Sequence, residues 1–395
     1  MTLKEILFAL LRVEICGGDL PVELQKGLAI EELQKLYTLS KSHDLAHLIG
    51  DALLKHDLIK KDQEIYKKFL AQQRMAVYRR EQLNYELNCI SAVLTQAKIK
   101  HIPLKGAILS RYYPENWMRT SCDIDIFVDE SDLEKATNAI FEHLQYEVKG
   151  KSPHDMQLYS QNDVHLELHF TLIEDYRFPK MEKVLSQIWK YADCEEGNEF
   201  CLYNTPEFFI FYHIAHAAKH FITGGCGIRP FLDLWIMERK MPYDKEKLRE
   251  MLKEGGLLTF YENANHLAEF WFSGIESSDT VKAMEEYILR GGVYGTTENK
   301  VAVSREKPKN KFLFVLSCIF LSHENLCHVY PSLKGKKWLT PFYQVRRWFR
   351  IIFKGASKNT RSTLRAYDSV SKEQKQDVKN LLDNLGLGIE SGRGF

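Results

Sequence analysis

The chain has 395 residues, 54 Lys and Arg against 53 Asp and Glu, and 45% hydrophobic residues, a balance that excludes disorder, collagen or coiled coil as the main architecture. That length predicts two or three domains, and a net charge of +1 points to no class of partner by itself. The eight cysteines are scattered without a C-x-x-C pair, which reads as reduced thiols and not as disulfides or a zinc knuckle.

At the N-terminus, Glu5, Arg12 and Glu14 crowd the apolar stretch Ile6 to Leu11 and no small-residue cleavage site follows. This is unlike a signal peptide, and a cytoplasmic location is the expectation. To about residue 98 the pattern is helical, clearest where Leu83, Leu87, Ile90 and Leu94 recur on one helix face. Lys100 to Leu104 then reads as short and extended, Lys105-Gly106 as a turn, and Ala107 to Tyr113 as a short helix that Pro114-Glu115-Asn116 breaks. Residues 123–128, Asp-Ile-Asp-Ile-Phe-Val, alternate strictly and predict a strand, with a helix opening near Ser131. Val164 to Phe170 alternates in the same way and predicts a second strand.

After about residue 180 the helical pattern returns, over Pro206 to Phe221, Phe231 to Met237, Lys245 to Lys253 and Leu257 to Phe272, with Gly-rich breaks at 224–227 and 291–295. The longest apolar run, Phe312 to Leu321, is shorter than the roughly 18–20 residues of a bilayer-spanning helix, so no transmembrane segment is expected. From Asn325 to Tyr367 there are ten basic residues (Lys334, Lys336, Lys337, Arg346, Arg347, Arg350, Lys354, Lys358, Arg361 and Arg365) and no acidic one. Tyr343 to Phe353 mixes Arg346, Arg347 and Arg350 with aromatic and aliphatic residues, and a helix there admits three readings: an anionic membrane surface or nucleic-acid phosphates with aromatics for stacking, either met through 334–365, or a folded helix that packs its aromatics and leaves its arginines in water.

The chemistry concentrates on the two strands. Successive strand side chains point to opposite faces, so Asp123 and Asp125 share one face while Ile124, Ile126 and Val128 enter the core. On the second strand Val164, Leu166, Leu168 and Phe170 form the apolar face, and His165, Glu167 and His169 the polar one. If the strands are neighbours, Glu167 faces the aspartates, and three hard oxygen ligands suit Mg²⁺ or Mn²⁺ better than zinc. Taken alone, D-x-D is also the pattern of a solvated strand edge. Lys105-Gly106 between strand and helix fits an anion held by backbone N–H groups and a lysine, or a plain turn with a solvated lysine. Arg119 either reaches the same phosphates or lies on the surface.

Ile102 to Leu109, Arg119 to Val128 and Leu166 to Phe170 together resemble the uncharacterised nucleotidyltransferase family of the DNA-polymerase-β-like superfamily. His213, His216, Lys219, His220, Arg229 and Asp233 also resemble a pattern found there. The resemblance implies an α+β fold with a small mixed sheet between mainly helical N- and C-terminal regions. It implies a metal-dependent transfer of a nucleoside monophosphate from an NTP to an acceptor, with release of pyrophosphate. Asp123 and Asp125 would hold two Mg²⁺ ions, Glu167 would complete the inner site and help deprotonate the acceptor, and Lys105, Gly106 and Arg119 would meet the phosphates. The turn reads Lys105-Gly106-Ala107 where the superfamily usually carries Gly-Ser or Gly-Gly. The resulting division is a helical domain at 1–98, the nucleotidyltransferase core at 99–180, a helical domain lining the site at 181–300 and a basic helical region at 301–395. The competing readings are a nucleotide-binding or regulatory protein without turnover on the same fold, and a partner protein acting through its basic segment.

His169 shares the face of Glu167 and either orients that carboxylate or bonds to backbone. His216 and His220 have the i, i+4 spacing of zinc sites, but Ala217-Ala218 stand where H-E-x-x-H has its glutamate, so a packed or substrate-facing histidine face competes with zinc. Arg229 and Asp233, also i, i+4, read as an ion pair bracing a helix start or as residues lying over the nucleotide.

Overall fold

The computed structural model describes residues 1–172, 178–292, 320–323, 326–327, 330–333, 335–353 and 371–388. Helices α1 (Leu3–Cys16), α2 (Ile30–Ser42), α3 (Ala46–Lys55) and α4 (Glu64–Gln96) lead into the sheet. The 33 residues of α4 span about 50 Å and join two cores. Its first half buries Ile65 and Phe69 among the leading helices. Its second half buries Leu83, Leu87, Ile90 and Leu94 against Ile124, Ile126, Val128, Leu166 and Leu168, the helix face that the leucine spacing predicts.

Among the described residues seven strands follow: β1 (His101–Pro103), β2 (Asp123–Val128), β3 (Glu147–Lys151), β4 (Asp155–Tyr159), β5 (His165–His169), β6 (Ala192–Glu195) and β7 (Asn198–Asn204). They form one mixed sheet in the order β3-β4-β5-β2-β1-β7-β6, with β2 parallel to β5 and antiparallel to β1. The fold is therefore α+β, with helices on both sides of the sheet in sequence. Strands β6 and β7 lie past residue 180 and join the sheet through a parallel pair between β1 and β7. The sequence reading did not include β3, β4, β6 and β7: Asp-Met-Gln-Leu-Tyr alternates over only five residues, and Glu-Val-Lys-Gly-Lys carries a single large apolar residue, so pairing with neighbours decides them.

Between β1 and β2 the predicted helix is shorter: α5 (Gly106–Leu109) makes one turn and continues as a 3-10 turn over Ser110–Tyr112. Helix α6 (Leu133–Leu144) follows a 3-10 turn in which the Asp129 carboxylate accepts from the Ser131 N–H. Then come α7 (Pro179–Leu185), α8 (Pro206–Ile222), α9 (Arg229–Lys240), α10 (Lys245–Glu254), α11 (Leu258–Ser273) and α12 (Asp279–Gly291). Helices α8 and α9 carry Pro in the first turn, where its missing N–H costs nothing.

In the basic segment α13 (Thr340–Phe353) and, beyond it, α14 (Lys372–Asn384) are helical. On α13 Phe342 is 68% exposed, while Trp348 packs edge-on against Phe320 and Tyr343 against Tyr330, each with ring centres 5.1 Å apart. Lys334, Lys354, Lys358, Arg361 and Arg365 lie outside the described residues, as do most of the apolar run at 312–321 and the Gly-rich break beyond 292. Among the described residues no helix is long and apolar enough to cross a membrane, and Cys16, Cys89, Cys122, Cys194, Cys201, Cys226 and Cys327 are free thiols.

Candidate active site

Burial of Ile124, Ile126, Val128, Leu166 and Leu168 on one face of the sheet forces Asp123, Asp125, Glu167 and their neighbours to the other. The parallel register pairs Asp123 with His165, Asp125 with Glu167 and Phe127 with His169. The adjacency that the sequence made conditional, Glu167 beside the aspartates, is therefore a feature of the fold.

Asp125 is almost fully buried. Its Oδ1 accepts from His169 Nε2 at 2.7 Å and from Lys105 Nζ at 3.3 Å, and His169 Nε2 also lies 3.3 Å from Glu167 Oε2. Burial opposes charge on Asp125, but the Lys105 ammonium and the His169 hydrogen bond outweigh it and hold the carboxyl well below the usual range. For His169 burial is again outweighed, by Asp125 and Glu167, and its imidazolium persists to about 9. Asp123 moves the other way, raised by burial and by the charge of Asp125.

Among the described residues two groups of side chains bring ligand atoms within 4.8 Å of one another: Asp123, His165 and Glu167, and Asp125, Glu167 and His169. The donor chemistry fits a divalent cation. The carboxylates offer hard oxygens, and a buried aspartate already draws two cationic side chains to one oxygen. Glu167 belongs to both groups. The sequence reading assigned His165 no role, although its place in the alternation His165-Glu167-His169 was the available signal; its Nε2 is buried and without a hydrogen-bond partner.

Lys105 lies at the turn with φ 43°, an unusual conformation for a side-chain-bearing residue. Its ammonium points to Asp125 and sits 5.9 Å from the centre of the Tyr212 ring on α8. A one-turn helix has little dipole, so the charge of Lys105 dominates here. Gly106 is required by packing: a Cβ would stand 2.6 Å from Ser121 Oγ.

Arg119 is neither on the surface nor free. It is buried, and its Nε donates to Asp233 Oδ1 at 2.7 Å, an oxygen that also accepts from Tyr113 Oη at 2.7 Å. The predicted i, i+4 pair of Arg229 with Asp233 is thus replaced. Asp233 points into the core towards Arg119, while Arg229, at the start of α9, pairs with Asp44 and donates to Thr120 Oγ1 at 3.1 Å. On α8, His213 Nε2 bonds to the Pro230 carbonyl at 2.8 Å, and the Nε2 atoms of His216 and His220 lie 3.0 Å apart. Burial, then the charge of Lys105, lowers His216 well below its usual value, so it is a neutral imidazole. Among the described residues neither potential metal group includes His216 or His220.

A family model described as uncharacterised nucleotidyltransferase matches residues 31–273, more than half of the chain. The chain belongs to that family. No curated protein and no solved structure matches it. The matched span of this nucleotidyltransferase family member runs from α2 to the end of α11 and includes every site residue above. Membership supports a role in nucleotidyl transfer, for which an NTP is the substrate.

Proposed function

We propose that Asp123, Asp125 and Glu167 hold Mg²⁺, or Mn²⁺ in its place, and that the chain moves a nucleoside monophosphate from an NTP to an acceptor hydroxyl or phosphate. The observation that carries this reading is the register pair of Asp125 with Glu167 on adjacent parallel strands, which gathers the carboxylates on one face. A bound divalent ion would neutralise charge on the phosphates and favour an in-line displacement. The acceptor oxygen bonds to the α-phosphorus, the bond to the bridging oxygen breaks, and pyrophosphate leaves. Glu167 takes the acceptor proton, and His169 keeps Asp125 and Glu167 oriented. Lys105 exchanges Asp125 for the phosphates, Gly106 leaves room for them at the turn, and Arg119, paired with Asp233, offers guanidinium N–H groups beside it. His216 and His220 border the substrate side from α8, and Arg229 and Asp233 brace the loop before β2.

The test is calorimetric titration of each NTP, with and without Mg²⁺, into wild type and an Asp123→Ala/Asp125→Ala variant, followed by labelled-nucleotide transfer from whichever NTP binds. A gain in NTP affinity on adding Mg²⁺, which the variant loses, is the expected result. No binding of any NTP at millimolar concentration sinks the reading. A second reading, nucleotide binding without turnover, is favoured by the Lys105–Asp125 contact, which neutralises a ligand carboxylate internally; it predicts binding without label transfer.

A further inference from the structure

Arg80 lies midway along α4 with only 5% of its surface exposed. Its Nη1 donates to the Gly106 carbonyl oxygen at 3.4 Å, a long bond, and its buried Nε has no partner. No carboxylate among the described residues pairs with it, whereas three other cations near the site have one: Lys105 has Asp125, Arg119 has Asp233 and Arg229 has Asp44. Burial, then the charges of Arg119 and Arg111, push its guanidinium down to about 10, so it remains a cation at neutral pH. A buried charge without a counter-charge is costly, and folded proteins pair such groups.

The surroundings indicate what the missing partner is. Arg80 meets the chain at Gly106, the turn that also carries Lys105. A Cβ on Gly106 would stand 2.6 Å from Ser121 Oγ and 3.9 Å from Arg119 Nη1, so hydrogen-bond donors converge there from α4 and from the segment before β2. We infer that Arg80 is an anion-binding residue, and that the polyphosphate chain of the nucleotide, held at the Gly106 turn, supplies the counter-charge the folded chain lacks. The identity of the anion rests on the nucleotidyl-transfer reading, while its presence rests on the unpaired guanidinium. Arginine suits the task because its planar fork donates two parallel hydrogen bonds to phosphate.

The experiment is thermal melting of the full chain with inorganic tripolyphosphate in the presence of EDTA, for wild type, Arg80→Met, Arg80→Lys and Asp123→Asn/Asp125→Asn. Tripolyphosphate is expected to raise the Tm of wild type and of the double aspartate variant. Arg80→Met should bind it at least about tenfold more weakly, and Arg80→Lys should keep part of the effect. Without the anion, Arg80→Met should melt at or above wild type, because apolar volume has replaced an unpaired buried charge; a purely structural role through the Gly106 carbonyl predicts a lower Tm. An anion-induced shift of wild-type size in Arg80→Met, no shift in wild type, or an Arg80→Met chain melting below wild type overturns the inference. Failure of the nucleotidyl-transfer reading has a different signature, in which tripolyphosphate binding persists and no NTP transfers label.

Discussion

His169 on β5 donates a 2.7 Å hydrogen bond to the Oδ1 of Asp125 on β2, and both residues are almost completely buried. The contact locks one imidazole to the carboxylate face of the sheet and fixes the direction of an oxygen that also faces Lys105.

His169 is, like Lys105, a cation on Asp125 Oδ1, but it also holds Asp125 against Glu167; if that orientation outweighs its charge, His169→Ala should weaken Mg²⁺ or Mn²⁺ binding by about 10–100-fold while the chain stays folded, as read by calorimetry beside circular dichroism. Metal affinity equal to wild type would remove His169 from the site.

Lys105 and a metal compete for Asp125. Lys105→Met should therefore tighten binding of the metal alone by about tenfold, the equivalent of one pKa unit of interaction, and at the same time weaken binding of the metal–nucleotide complex. Changes of the same sign in both titrations would show that Lys105 never leaves Asp125.

Asp233 accepts from Arg119 and Tyr113 at one buried oxygen. Asp233→Ala should cost about 3–5 kcal/mol in urea unfolding at pH 7, since it leaves a buried guanidinium without its carboxylate. A loss within 1 kcal/mol (about one exposed pair's worth) would mean that Arg119 finds solvent or another partner.

His43 is fully buried, and burial lowers its imidazole to about 4, with the Leu289 backbone opposing. Its folded value is depressed, so the unfolded chain takes up the proton first, and stability present above about pH 6.5 is lost as the pH falls towards about 4. Between pH 7 and pH 5 wild type should lose about 2 kcal/mol relative to His43→Leu. Parallel urea curves at pH 7, 6 and 5 measure this, and a pH-independent difference between the two proteins would exclude the assignment.

The strongest local periodicities held in the structure. The leucine face of α4 and the strict alternation of Asp123 to Val128 each fixed which side of an element is apolar, because a helix or strand must bury its apolar face wherever it packs. That logic also placed Glu167 on the polar face of its own strand. Elements with a short or weak pattern were not read: β4 alternates over only five residues, β3 has one large apolar residue, and these strands, like β6 and β7, depend on neighbours that offer unpaired backbone groups. Composition and spacing likewise misassigned the partner of Asp233, since i, i+4 proximity on a helix surface carries no weight once one of the two side chains turns into the core.

The sequence by itself thus determined the α+β character, the carboxylate-bearing strand faces and the family. Only the tertiary structure decided that β2 and β5 are parallel neighbours in the register that sets Asp125 against Glu167, that Lys105 and His169 converge on one oxygen, and that Arg80 is buried without a counter-charge. The physical reason is the same in each case. Side-chain direction within an element follows from local periodicity, but distance between elements depends on how strands order and helices pack, which is settled by burying two cores at once.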